Sequence, residues 1–178
     1  MQQNAVSRKR VRWWYALIFI AVIAAILALD IFTKEWIRAS LPPGGAFPEV
    51  GLLTIVNVQN TGSAFGLFTN QAFLLSIVAI AGLVVVLIFF RYLADLGFLG
   101  GLALSLIFAG ALGNLIDRLR FGCVTDFIYV RLWDNVFWPA FNVADSAITV
   151  GAILLAVVAL VGLGKKHEPK PGNAKKDV

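Results

Sequence analysis

Ala72 to Phe90 reads AFLLSIVAIAGLVVVLIFF, nineteen residues without a charge. A helix rises about 1.5 Å per residue, so this run is about 28 Å long and matches a hydrocarbon core of about 30 Å. Two further runs do the same, Phe98 to Ile116 and Phe141 to Leu163. A shorter one, Trp13 to Leu29, opens on the interfacial aromatics Trp13, Trp14 and Tyr15 and ends at Asp30. Composition agrees. Only 14% of the 178 residues are charged and the mean hydropathy is +0.84, whereas a soluble domain carries about 25% charged residues. The expected fold is an all-α membrane protein of four transmembrane helices, at about 13–30, 72–90, 98–116 and 141–163. These form a single membrane domain, 13–163, between a basic tail, 1–12, and a disordered polar tail, 164–178.

The basic residues orient the bundle. Ten Lys and Arg fall in the N-terminal tail, the loop at Arg91 and the C-terminal tail, against five in segments 30–71 and 117–140. The positive-inside rule therefore puts both termini in the cytoplasm and those two segments outside. The clustering of charge at the ends speaks for topology and against a nucleic-acid partner. The first run resembles a secretory leader, but Asp30 follows it directly and no small-x-small site intervenes.

The outer segments are elaborate, which locates the work of the molecule on that side. Pro42, Pro43, Gly44, Gly45 and Pro48 mark turns, and Leu52 to Gln59 reads as a strand in a small extracytoplasmic β-element. Phe127 to Phe141 is dense in aromatics, including Tyr129, Trp133 and Trp138, and suits an interfacial segment at headgroup level.

Reactive residue types are few. There is one cysteine, Cys123, and one histidine, His167 in the tail. No intrachain disulfide, histidine-based triad or His/Cys zinc site is available. No metal or cofactor is expected, and hydrolysis would have to rest on carboxylates. Asp30 and Lys34 lie at the end of the first run. Asn114, Asp117 and Arg118 close the third, and Asn142 and Asp145 open the fourth at a spacing of three. Asp126 lies between them on the outer side. A carboxylate inside a span costs a few kcal/mol unless paired or solvated. An Asp145–Arg118 lock is the structural reading of this cluster. The chemical one is a carboxylate pair, Asp126 and Asp145, sharing a proton and acting as base and acid on a peptide bond. Spacing alone leaves Asp30 and Asp117 open as partners.

Three blocks carry a family resemblance: NTGSAFG at 60–66, GALGNLIDR at 110–118 followed by VTDF at 124–127, and FNVADS at 141–146. Together with Asp30 and Lys34, in this order and on four spans, the chain resembles the lipoprotein signal peptidases (signal peptidase II). That resemblance implies an aspartyl endopeptidase of the bacterial cytoplasmic (inner) membrane with Asp126 and Asp145 as its catalytic dyad. It implies supporting roles for Asn60, Gly62, Asn114, Arg118 and Asn142, and family positions at Asp30, Lys34, Asp117, Ala64 and Phe65. The implied partners are membrane lipid and a prolipoprotein whose cysteine carries a diacylglyceryl group, cut just before that cysteine. No obligatory protein partner is implied.

Blander readings exist for each block. Asn60–Gly66 has turn chemistry, Gly110 and Gly113 suit close helix packing, and Cys123 follows no lipobox. An ion path is the main competing function. It would require polar groups through the bilayer, yet the second run offers only Ser76 and Gly82 and the fourth is apolar beyond Thr149. A non-catalytic assembly subunit leaves the two aspartates within the full motif set unexplained.

Overall fold

The computed structural model describes residues 2–48, 51–62, 71–90, 93–133 and 136–166. The element order is α1 (Gln2–Ser40), β1 (Ala46–Phe47), β2 (Leu53–Asn60), α2 (Ala72–Phe90), α3 (Leu93–Phe121), β3 (Val124–Trp133), β4 (Val136–Phe141) and α4 (Val143–Lys166). Four helical stretches are long and apolar enough to cross a membrane: Trp14–Ser40, Ala72–Phe90, Gly97–Phe121 and Val143–Val161. The chain is a multi-pass membrane protein of four such helices and one small antiparallel sheet.

The first helix differs from expectation. It does not close at Asp30 but runs on to Ser40. Ile31 to Ser40 contains neither Gly nor Pro, and the first breakers are Pro42 and Pro43. Asp30 is tolerated inside the helix because Lys34, one turn on, neutralises it at 2.8 Å. At the other end, α4 continues through Lys166 into the stretch expected to be disordered; residues 167–178 lie outside the described residues.

Helix α3 is the hub and the most enclosed of the four, packed against α1, α2 and α4. Small residues permit the approach. A Cβ on Gly110 would overlap the carbonyl oxygen of Ala144 on α4, and one on Gly151 would meet the carbonyl of Ala103 on α3. Gly101 similarly makes room for the ring of Phe19 on α1. Helix α2 buries only Ser76, Leu83 and Val86, and its other faces present Val, Ile, Leu and Phe outward, as lipid contact requires.

At the end of α3, Gly122 adopts φ 71°, a left-handed conformation that glycine takes without steric cost. It turns the chain into β3. The strand order is β1-β2-β3-β4, with every pairing antiparallel. Val58 faces Asp126 and Asn60 faces Val124 across β2 and β3. The aromatic segment expected at headgroup level forms β3 and β4 of this same sheet. Its β-branched and aromatic residues form two runs either side of Asp134-Asn135, a hairpin pattern. Tyr129 stacks on Phe137 with ring centroids 4.8 Å apart. Pro139 is accommodated because β4 is an edge strand.

The α3–α4 contact yields a stability prediction. Gly110→Ala should destabilise the protein by about 1–3 kcal/mol through overpacking. Gly82→Ala, with no heavy atom within 4 Å, should stay within about 0.5 kcal/mol of the parent. Thermal unfolding in detergent reads both, and equal behaviour of the two variants would contradict the packing described.

Candidate active site

The site forms where α1, α3, the sheet and the start of α4 converge. Asp145 is placed by local chemistry. Asn142 caps α4: its Oδ1 accepts the Asp145 N–H at 2.9 Å, and the Asp145 Oδ2 accepts the Asn142 N–H at 3.2 Å. This reciprocal pairing is a capping box, and it holds the Asp145 carboxylate at the mouth of the helix. Asp126 arrives from β3. Its Oδ2 accepts from Asn60 Nδ2 at 2.9 Å and its Oδ1 from Asn142 Nδ2 at 2.7 Å. Asn142 therefore donates to both carboxylates, through its backbone to Asp145 and through its side chain to Asp126.

Asp126 is 2% exposed. Burial, and after it the charge of Asp145, push its carboxyl up to about 7 against the donors Asn60 and Asn142 and the more distant charge of Lys34. Such an acid is about half protonated at neutrality and holds its proton below it.

Below the two aspartates lies a buried polar layer. Asn114 Nδ2 donates to Asp145 Oδ1 at 2.7 Å, and its Oδ1 accepts from Lys34 Nζ at 2.9 Å and Asn142 Nδ2 at 3.2 Å. Lys34 also contacts Asp30 at 2.8 Å and Asp117 at 3.6 Å. Asp30 accepts the Ala144 N–H, and Asp117 accepts the Thr125 N–H. Gly113 makes room for this layer, since a Cβ there would lie 2.5 Å from Asp30 Oδ2.

Arg118 makes no lock with Asp145. It spends its N–H groups on carbonyls instead, with Nη1 on Asn114 O and Nη2 on Gly62 O, both at 3.4 Å. Its Nε is buried without a hydrogen-bond partner among the described residues. Asn60 and Gly62 form a turn, in which Asn60 Oδ1 accepts the Gly62 N–H at 2.9 Å. The turn chemistry and the contact with Asp126 thus reside in the same side chain. Gly110 acts in helix packing. Ala64 and Phe65 lie outside the described residues.

Two participants, Arg38 and Thr125, escaped the sequence reading. Arg38 Nη1 donates to Thr125 Oγ1 at 2.7 Å and to Asp117 at 3.3 Å. Asp30, Lys34 and Arg38 follow one another at intervals of four, a one-face pattern that becomes visible only once α1 is extended beyond Asp30.

A cleft of about 1140 Å³ opens over the aspartates. Its lining includes the polar Asn60, Asn114, Arg118, Asp126 and Asp145 with Gly62, and the apolar Trp138, Ile148 and Val150. Two carboxylates, a half-buried arginine and no histidine suit general acid–base attack by water on a polar carbonyl.

The profile of the family Signal peptidase (SPase) II matches residues 22–161. The chain belongs to the signal peptidase II family. It is a membrane protease of that type, and the matched stretch contains every residue of the cluster just described. The chain is similar to the lipoprotein signal peptidase of Geobacter sulfurreducens, 45% identical over 144 residues, covering 79% of this chain and 89% of the relative. It is similar also to that of Moorella thermoacetica, 39% identical over 153 residues, covering 85% and 99%. Among solved structures, a bacterial membrane enzyme determined by the in meso method at 2.3 Å matches with a TM-score of 0.78 and 32% identity, covering 87% of this chain and 94% of the other.

The double duty of Asn142 can be dissected by stability. Asn142→Ala should lose the cap, about 1 kcal/mol, and leave a buried Asp126 oxygen without its donor, about 1–3 kcal/mol more. Asn142→Ser retains a capping oxygen and should recover only the first part. Unfolding midpoints in detergent measure the series; an alanine variant as stable as the parent would contradict the bridging role.

Proposed function

We propose that this signal peptidase II removes signal peptides from bacterial prolipoproteins, cutting before a diacylglyceryl-modified cysteine, with Asp126 and Asp145 as the catalytic dyad. The observation that carries the reading is the shared donor: Asn142 hydrogen-bonds both carboxylates at one cleft. Asp126 holds the resting proton. Asp145 acts as base, drawing a proton from a water that attacks the scissile carbonyl. Asp126 protonates the carbonyl oxygen as the tetrahedral intermediate forms, and the pair then returns a proton to the departing amine. Arg118 and Asn60, which line the cleft beside the acids, orient the substrate backbone.

The substrate assignment is supported by the cleft itself, whose lining combines the two carboxylates with the apolar Trp138, Ile148 and Val150. Burial of an acyl chain contributes about 0.8 kcal/mol per CH₂, but the bilayer already supplies much of that. The lipid acts chiefly by holding the cysteine at the depth of the dyad, and positioning of this kind lowers a barrier by several kcal/mol.

A cleavage assay with purified protein tests the reading. Asp126→Asn and Asp145→Asn should each abolish turnover while remaining folded, and unlipidated prolipoprotein should be a poor substrate. Near-normal turnover in either variant refutes the dyad, and equal rates on lipidated and unlipidated substrate refute lipid dependence. The same assay run across pH carries a sign. A carboxyl raised to about 7 keeps its proton below that value and loses it above. Activity should therefore fall on the alkaline side with an apparent pKa near 7 that belongs to the pair as a unit.

We also propose that the dyad faces the extracytoplasmic side, with both termini cytoplasmic. The ten-to-five distribution of Lys and Arg supports it. A reporter fused after Lys166 should read cytoplasmic and one inserted at Gly45 external; the reverse pattern would invert the topology.

A further inference from the structure

Lys34 is the largest fully buried side chain among the described residues. The water-activation chemistry uses neither it nor its two carboxylate partners. Its ammonium touches three groups from two helices: Asp30 at 2.8 Å, Asn114 Oδ1 at 2.9 Å and Asp117 at 3.6 Å. Each of these three reaches one of the aspartates. Asp30 grips the Ala144 N–H, the residue before Asp145. Asp117 grips the Thr125 N–H, the residue before Asp126. Asn114 donates directly to Asp145.

We propose that Lys34 is a positioning residue that sets the spacing and hydrogen bonding of the dyad, by fixing the amide of Asn114 and by holding the two carboxylates that anchor the backbone beside Asp145 and Asp126. The proposal rests on the dyad reading given above.

The amide argument is one of donor count. An ammonium has three donors and no acceptor, so Asn114 must turn its oxygen toward Lys34. Its NH₂ then points to Asp145, which as a carboxylate accepts. Without Lys34 the amide oxygen would keep only the longer bond from Asn142 Nδ2, at 3.2 Å, to oppose rotation by half a turn that presents oxygen to oxygen. The backbone argument is one of charge. Asp30 and Asp117 would be two like charges in a low-dielectric bundle without the cation between them. Arg38 supports Asp117 from one side only, at 3.3 Å. Asp30 has no second cation within salt-bridge distance among the described residues.

The groups facing this centre are Asp30 and Arg38 from α1, Asn114, Asp117 and Arg118 from α3, Thr125 and Asp126 from β3, and Asp145 from α4. Among the influences on Asp126, burial and Asp145 raise its pKa, while Asn60, Asn142 and Lys34 lower it. Removal of the Lys34 charge alone should therefore move the alkaline limb of activity upward. Restoring charge balance should move it back without restoring the amide.

The experiment compares Lys34→Met, Lys34→Met/Asp30→Asn and Lys34→Gln/Asp30→Asn in the full-length protein, with Asp145→Asn as benchmark and a diacylglyceryl-modified prolipoprotein as probe. Kinetic constants, pH profile and melting temperature in detergent are recorded for each. Asparagine at 30 still offers an acceptor to the Ala144 N–H. Lys34→Met should lower kcat by about 100-fold, the scale of a misplacement of about 1 Å, with KM nearly unchanged and the alkaline limb raised. The Met/Asn pair should regain the melting temperature and alkaline limb of the wild type while kcat stays low. The Gln/Asn pair keeps one N–H donor and should recover part of kcat, about tenfold over the Met pair.

Wild-type kcat in either pair overturns the proposal, because Lys34 would then only balance charge. If the Met variants do not fold, the Gln pair decides the same question. A kcat that rises and falls only with melting temperature overturns the proposal too. If Asp145→Asn itself turns over substrate, the dyad reading has failed; if Asp145→Asn is inactive while a pair is fully active, only the role of Lys34 has failed.

Discussion

Placing ionised groups among apolar helices costs several kcal/mol per ion unless each finds a partner. That constraint organises this molecule. Lys34, Asp30, Asp117 and Asp126 are all nearly inaccessible, and they persist because ammonium, amide and backbone N–H groups answer the available lone pairs. Helices α1 and α3 must cross where their polar faces meet, α4 must begin where Asp30 can take the Ala144 N–H, and the sheet must enter where Asp117 can take that of Thr125. The contacts between small residues of α3 and α4 then close the remaining space.

The cluster lies at one end of the bundle. Water is absent from the hydrocarbon core, so irregular backbone is admissible only where protein or a wet cavity satisfies it. The helix start at Asn142 and the turn at Asn60–Gly62 are both irregular, and both border the cleft or its floor. Chemistry that needs carboxylates and water is confined to the same zone, because only there are both admissible.

Much of this was legible in the residues. Runs such as 72–90 fix their own length and environment, and spacings of three and four within Gly110–Arg118 and Asn142–Asp145 identify shared faces. The end of α1 was not legible in that way. An aspartate after an apolar run looks like a boundary, and only the i+4 partnership with Lys34, made inside the bundle, lets the helix continue. The aromatic stretch 127–141 was similarly ambiguous. Tyr, Trp and Phe suit a headgroup layer and a β-strand equally well, and the pairing with β2 that makes the stretch a strand is a long-range contact. The capping box was present as Asn142 and Asp145 three apart, yet the bond from Asn142 to Asp126 depends on a strand sixteen residues earlier.

An aspartate has two side-chain torsions, and at position 145 the helix cap holds one oxygen while the amide of Asn114 holds the other. The carboxylate therefore cannot swing outward to meet a bond presented at a variable height. On the proposed reading all adaptation falls to the substrate, whose chain must be unwound and drawn to a fixed point before it can be cut. An enzyme of this construction measures distance along its substrate, from the anchored cysteine to the acids, and can leave the sequence beyond that interval largely unread.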